Sequence, residues 1–317
     1  MVFYYIMRGK ETAKRKAVII GGPTGVGKSS VAFSVAEKTG GEIISADSMQ
    51  FYRETGIGTD KPPAWMREKI PHHLMDFLSL KDDFDVYGFA EAAAEKADDI
   101  LGRNKLPVIA GGSGLYIRIL TKGIFTIPGA DREKQKNIRE NLESKKTEEL
   151  YGELEKADPA ILGALHKNDR KRIRRALEVF LLTGKTMSFW QKQKTESAFA
   201  GGTDVKYFIL TRDREEMYNR IECRVDRMFE AGWIEEVERL KEEGLAGYLK
   251  SKAPIGYVEI LEYLEGRLTL EELKSCIKQK TRNFAKKQLT WFRREDGIWI
   301  EMDDDGEKAV KEILSRL

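Results

Sequence analysis

The 317-residue chain has little of what several common site types require. It holds two cysteines, Cys223 and Cys276, and three histidines, His72, His73 and His166. Neither cysteine has a partner at C-x-x-C spacing. That excludes a zinc finger and a disulfide framework and points to a reducing compartment, the cytoplasm. His72-His73 has no carboxylate at metal spacing and reads as a packing pair. No apolar run approaches the ~18 residues of a membrane-spanning helix. The apolar start, Met1 to Met7, comes before the basic Arg8-Gly9-Lys10 instead of after a basic segment, the wrong order for a signal peptide. Residues 1–15 are expected to be a flexible extension, with Met7 as an alternative start. Net charge is scarce too: 55 Lys and Arg against 52 Asp and Glu leave +3. This excludes a histone-like polycation but not a local basic face. Eight prolines and 28 glycines exclude collagen-like and low-complexity classes.

What is present suits a folded enzyme. The chain is 41% hydrophobic and 34% charged, enough to bury a core. Ala17-Val18-Ile19-Ile20 is a short β-branched run that reads as a buried parallel strand. A helix is expected from about Lys28 to Lys38, a strand over 42–47, an Ala-rich helix from Phe89 to Leu101, and a strand at Pro107-Val108-Ile109-Ala110. This alternation predicts a doubly wound α/β sheet. Residues 126–200 are rich in Lys, Glu and Arg at helical spacing, and Gln191 to Gly202 looks like a linker. A strand returns at Tyr207 to Leu210. One long helix is expected from Arg214 to Glu243, another over 270–294, then a strand at Ile298 to Ile300 and a terminal helix. The predicted domains are an α/β core of residues 16–125 and 201–317, and an all-α insertion of residues 126–200.

Gly22-Pro23-Thr24-Gly25-Val26-Gly27-Lys28-Ser29 fits G-x-x-x-x-G-K-[ST] between a strand and a helix, the context that gives this motif its meaning. Backbone amides freed by glycine, and the helix N-terminus, favour a diphosphate. Lys28 supplies a cation and the Ser29 hydroxyl a ligand for Mg²⁺. Proteins that cleave a nucleotide usually add a strand ending in an acid to hold the metal. Here the strand at 107–110 ends in Gly111-Gly112, and only Asp47 stands at a strand end, open to reading as metal ligand, base or turn residue. Ser113, after the strand at 107–110, could hydrogen-bond a ligand or simply form the turn. Two basic segments follow. Residues 166–175 carry six Lys or Arg, and residues 278–294 carry seven with no acid, interleaved with Phe284, Trp291 and Phe292. Lys278, Arg282 and Lys286 would form one stripe on a helix. Two such segments beside a phosphate loop favour a polyanionic, nucleic-acid partner over a merely solvated face.

Taken in order, the loop at 22–29, Ser45-Ala46-Asp47-Ser48-Met49-Gln50-Phe51-Tyr52, Gly56-Ile57-Gly58-Thr59-Asp60-Lys61-Pro62 and Pro71-His72-His73-Leu74-Met75-Asp76 resemble the tRNA dimethylallyltransferase family. So do Gly111-Gly112-Ser113-Gly114-Leu115-Tyr116, Asn168-Asp169 with Arg172 and Arg175, Ile255-Gly256-Tyr257, and residues 285–293. The resemblance spans residues 22–293. It implies a P-loop NTPase-like core with a parallel sheet flanked by helices. It also implies transfer of a dimethylallyl group from dimethylallyl diphosphate to N6 of the adenosine 3′ to the anticodon, in tRNAs reading codons that begin with U. The products would be N6-isopentenyladenosine and diphosphate, made by a cytoplasmic monomer with Mg²⁺.

By that resemblance Asp47 is the base and also touches tRNA, and Ser113 stands where relatives usually have Thr. Arg224 is the diphosphate-binding arginine, with Arg220 the competitor. The tRNA anticodon stem-loop would meet Asp47, Ser48, Met49 and Gln50, then Lys171, Arg172, Ile173, Arg174 and Arg175. It would also meet Lys286, Lys287, Gln288, Leu289, Thr290, Trp291, Phe292 and Arg293. Val258 after Ile255-Gly256-Tyr257, Gln135 and Arg212 depart from the family pattern. The absence of a eukaryotic-type zinc finger fits a bacterial-type enzyme. The rival reading is a P-loop small-molecule or nucleotide kinase binding ATP, and a second rival is a nucleotide-switched RNA-binding module.

Overall fold

The computed structural model describes residues 15–123, 125, 132–193, 197, 199 and 202–317. They fall into two compact units, one within residues 1–121 and 197–317, the other within 122–196. Apart from Arg15, the expected extension lies outside the described residues, as does part of the expected linker.

The first unit begins β1 (Lys16–Gly21), α1 (Lys28–Thr39), β2 (Glu42–Ser45), α2 (Ala64–Lys69), β3 (His72–His73), α3 (Val86–Gly102), β4 (Pro107–Gly111) and α4 (Gly114–Lys122). The second unit holds α5 (Arg132–Ser144), α6 (Thr147–Ala157), α7 (Arg170–Thr183) and α8 (Met187–Gln191). The first unit then resumes with β5 (Asp204–Thr211), α9 (Arg214–Glu230), α10 (Trp233–Glu242), α11 (Ala246–Lys252) and α12 (Tyr257–Leu264). It ends with α13 (Leu270–Phe292), β6 (Ile298–Glu301) and α14 (Glu307–Ser315).

The six strands form one parallel sheet in the order β3-β2-β4-β1-β5-β6. Ala17, Val18, Ile19 and Ile20 of β1 are all fully buried, as a strand covered on both faces requires. On one face Val18, Ile20, Val108, Phe208 and Leu210 pack with Val31 and Val35 of α1 and Ile313 of α14. α3 packs on β2 and β4 and buries Phe89, Ala93, Ala97 and Ile100. Asp85 caps it, its carboxylate accepting from the amides of Tyr87 and Gly88. Glu42 opens β2 at the sheet edge away from the phosphate loop. It is buried and bound by Arg103, by Lys105 at 2.8 Å and by His73 at 2.7 Å. These partners hold its carboxyl well below the usual range, Arg103 foremost. The histidine pair is thus a strand whose second residue anchors this cluster.

The expected helix from 214 to 243 is in fact two. Gly232, at φ 90°, breaks it, and α10 starts afresh with Trp233. In the second unit Leu142, Leu150, Leu154, Ile161, Ile173 and Leu177 form a separate core. Asp169 caps α7 at its start and Gly184, at φ 70°, ends it.

Candidate active site

The carboxyl ends of the neighbouring strands β1, β4 and β2 carry, respectively, the loop at 22–29, the turn at Gly112-Ser113 and the turn at Asp47 to Gln50. This is the edge where α/β sheets bind ligands. Gly22 sits at φ 147°, and a Cβ there would lie 2.7 Å from the Leu210 carbonyl oxygen, so no side chain fits. Lys28 donates its Nζ to the Pro23 carbonyl at 2.8 Å. Burial pushes its pKa down to about 8, against the pull of the Asp47 charge and with the push of Arg224. Ser29 lies exposed on the first turn of α1.

Two side chains from distant helices complete the loop. Gln288 of α13 accepts from the Thr24 amide at 2.8 Å and donates to the Gly112 carbonyl at 2.9 Å, joining the ends of β1 and β4. Arg224 of α9 donates to Thr24 Oγ1 at 2.8 Å and to Asp60 Oδ2 at 2.9 Å. Its Nε is buried with no partner among the described residues, an unused donor at the loop. Arg220 donates to the Gly25 carbonyl at 3.2 Å. Both arginines therefore reach the loop, but only Arg224 retains a buried free donor there.

Asp47 accepts from the Met49 amide at 3.0 Å through its carboxylate, and its carbonyl accepts from the Gln50 amide at 3.2 Å. Burial raises its pKa, while the Met49 hydrogen bond and the charges of Lys28 and Arg224 pull it down. Ser113 accepts from the Ser48 amide at 3.4 Å. Its carbonyl receives the Tyr116 and Ile117 amides as α4 begins. Gln50 bridges: it accepts from the Ser45 hydroxyl at 3.0 Å and donates to the Thr59 and Asp60 carbonyls at 3.2 and 3.3 Å.

A brace that no sequence motif announces lies behind that loop. Glu236 of α10 accepts from the Gly56 and Ile57 amides at 3.1 and 2.9 Å and from the Tyr257 hydroxyl at 2.6 Å. Gly58 and Gly256 press on the Trp233 ring, and a Cβ at either would come within 2.2 or 2.0 Å of it. Tyr257 is fully buried. Gly256 and Tyr257 are therefore internal scaffolding for the 56–60 loop.

Comparisons with known proteins decide the family. The family model for IPP transferase matches residues 50–295, and that for isopentenyl transferase matches residues 15–70. A tRNA dimethylallyltransferase of Geobacter metallireducens is 44% identical over 310 residues, covering 96% of this chain and 98% of its own. The chain belongs to the tRNA dimethylallyltransferase family. A tRNA dimethylallyltransferase of Thermotoga petrophila is 40% identical, covering 95% of this chain and 97% of its own. Among solved structures, the tRNA isopentenylpyrophosphate transferase of Bacillus halodurans superposes with a TM-score of 0.68 at 34% identity, covering 96% of this chain and 95% of its own. A eukaryotic dimethylallyltransferase acting on tRNA reaches a TM-score of 0.81 at 29% identity, covering 95% of this chain and 80% of its own.

In this dimethylallyltransferase-family chain the expected surface residues divide. Lys286, Lys287 and Thr290 are exposed on the last turns of α13, Arg293 is exposed just beyond its end, and Leu289 is half-buried. Phe292 is fully buried beneath Gly21, and Gln288 is engaged by the phosphate loop; neither is free for a surface partner. Trp291 lies against Gly114, under the Arg118 guanidinium at 4.7 Å. The expected stripe is also corrected: Lys278 pairs with Asp226 at 2.7 Å and Arg282 with Glu222, both on α9, so only Lys286 of the three is left exposed.

Lys171 and Arg172 of α7 are exposed, whereas Ile173 belongs to the core of its unit. Arg174 pairs with Glu143, and Arg175 with Glu178 at 3.1 Å. Gln135 also binds Glu178, at 2.8 Å. Arg212 is buried on Glu216 and the Asp303 carbonyl. Among the described residues no cluster of three or more His, Cys, Asp or Glu could hold a metal, and no helix is long and apolar enough to cross a membrane. The donors fit Mg²⁺ arriving with a diphosphate. A lone hydroxyl, Ser29, suits an ion that keeps waters and phosphate oxygens as its other ligands.

Proposed function

We propose that this protein transfers the dimethylallyl group of dimethylallyl diphosphate to the N6 amine of the adenosine 3′ to the anticodon of tRNAs reading codons that begin with U. The observation that carries this reading is the joining of a phosphate loop, an inward arginine and a carboxylate with burial-raised pKa at one sheet edge. The loop amides, Lys28 and Arg224 bind the diphosphate and stabilise charge as it leaves. Mg²⁺ on Ser29 would neutralise part of that charge. The N6 lone pair forms a bond to C1 of the dimethylallyl group as the C1–O bond breaks. Asp47 takes the N6 proton, and N6-isopentenyladenosine and diphosphate result. Ser113 orients the turn that carries Asp47. The adenosine has to leave its stack to reach this edge, a cost offset by binding the exposed base. Exposed Lys171, Arg172, Lys286, Lys287 and Arg293 supply phosphate contacts to the anticodon stem-loop.

The turn after β4 ends in glycines and supplies no metal-binding acid, which disfavours the kinase reading. Incubation with unmodified tRNA, Mg²⁺ and radiolabelled dimethylallyl diphosphate, followed by nucleoside analysis, tests the proposal. Label in N6-isopentenyladenosine is expected. Unlabelled tRNA, with protein and tRNA both folded, overturns it.

A further inference from the structure

We propose that Asp60 tunes the release of diphosphate, because its carboxylate competes with the diphosphate for the guanidinium of Arg224. The inference rests on the diphosphate reading above.

Arg224 divides its donors between two partners. One nitrogen serves Thr24 of the phosphate loop at 2.8 Å, and another serves Asp60 at 2.9 Å. Its side chain is 17% exposed and that of Asp60 is 54% exposed. This asymmetry sets the energetics. A mostly buried guanidinium needs an anion at all times, since an uncompensated buried charge is costly. A half-exposed carboxylate is hydrated when its partner turns away, so breaking the pair costs it little. The multiply charged diphosphate outcompetes the single carboxylate on entry. On departure Asp60 again compensates Arg224, so product loss strands no buried cation.

The carboxylate is held in place by scaffolding independent of Arg224. Asp60 is in the left-handed region, at φ 52°, and its amide donates to the Ile57 carbonyl at 3.1 Å. Its carbonyl accepts from Gln50 at 3.3 Å, and the loop before it is anchored by Glu236 and seated on Trp233. The competitor thus stays in position while Arg224 changes partner. The charge of Asp60 also reaches Lys28 and Asp47. Asp60 touches no substrate in this scheme; it acts through Arg224 as a positioning residue.

Calorimetric titration of Mg²⁺-diphosphate into the full chain tests the inference. Asp60→Asn keeps the left-handed backbone, which Asn tolerates, and removes the charge. It is expected to bind diphosphate about fivefold tighter, the equivalent of one exposed ion pair. It should also give a burst of one product turnover followed by a slowed steady state. Asp60→Glu should bind as the parent does. In an Arg224→Gln background, Asp60→Asn should change diphosphate affinity by less than in the parent, because the two sites are coupled. Weaker or unchanged binding in Asp60→Asn, with the parent binding normally, overturns the role of Asp60 alone. No binding by the parent overturns the diphosphate reading itself.

Discussion

Asp47 and Lys28 carry opposite charges at one edge of the sheet, and burial works against both. For the aspartate this is a cost in stability. Its folded pKa is raised, so a stabilising contribution present below the unfolded pKa is lost as pH rises through the folded one. Asp47→Asn is therefore expected to melt at or above the parent temperature at pH 7, while turnover falls by roughly 10²–10⁴-fold, the loss expected for a missing general base. Calorimetric melting and the labelled transfer assay check the two halves. The same shift fixes a pH dependence. Asp47 must be ionised to accept a proton, so kcat falls as pH drops through a pKa above the ordinary aspartate range. In a pH–rate profile, the acid limb should lie higher than that of an exposed aspartate.

At the scale of elements, the loop over residues 56–60 is shaped from behind by α10 and α12. Gly256→Ala would place a methyl within 2.0 Å of the Trp233 ring at a residue whose φ is 94°. A loss of roughly 3–5 kcal/mol in urea unfolding is expected, with a lower KM for the diphosphate substrate as the shifted loop draws the competing Asp60 carboxylate away from Arg224. Glu42 offers the contrast, because it lies at the opposite edge of the sheet. Glu42→Ala leaves Arg103, Lys105 and His73 without their shared anion, at a cost of roughly 1–2 kcal/mol, because the two stronger cations left behind are half-exposed and become hydrated. Urea unfolding should register that loss while KM stays unchanged. The depressed pKa of Glu42 means that its stabilising contribution in the parent is present above the ordinary glutamate range and fades as pH falls through the folded value.

These two clusters show what a sequence displays and what it hides. The phosphate loop is legible because strand, glycines, lysine and helix are contiguous. Asp47 is legible because it stands at the end of an apolar run. Gln288, Glu236 and the pairing of Asp60 with Arg224 are not, since each depends on helices far away in the chain meeting at the site. The same limit explains why Lys278 and Arg282 read as an exposed stripe: their partners, Asp226 and Glu222, sit on a helix that only packing brings alongside. Ile173 and Phe292 depart from the expected surface for a related reason, as apolar residues within basic runs turn inward on an amphipathic helix.

For the whole molecule, the exposed cations divide between the two compact units. Replacing Lys171 and Arg172 together with Ala should raise KM for tRNA and leave Mg²⁺-diphosphate affinity unchanged. The slope of log affinity against log salt should flatten by roughly 0.7–0.9 for each phosphate no longer neutralised. Filter binding across a salt series reads this directly. The sheet order has a consequence of another kind. β1 lies between β4 and β5, pairing with β5 from Lys16 opposite Asp204 to Gly21 opposite Ile209. During synthesis the strand bearing the phosphate loop thus has its β5 side unpaired until residues 204–211 leave the ribosome. The intervening helical unit, with its own core and short-range packing, can fold first. Between those two moments the nascent chain carries an open apolar strand edge, the stage at which it most needs a chaperone.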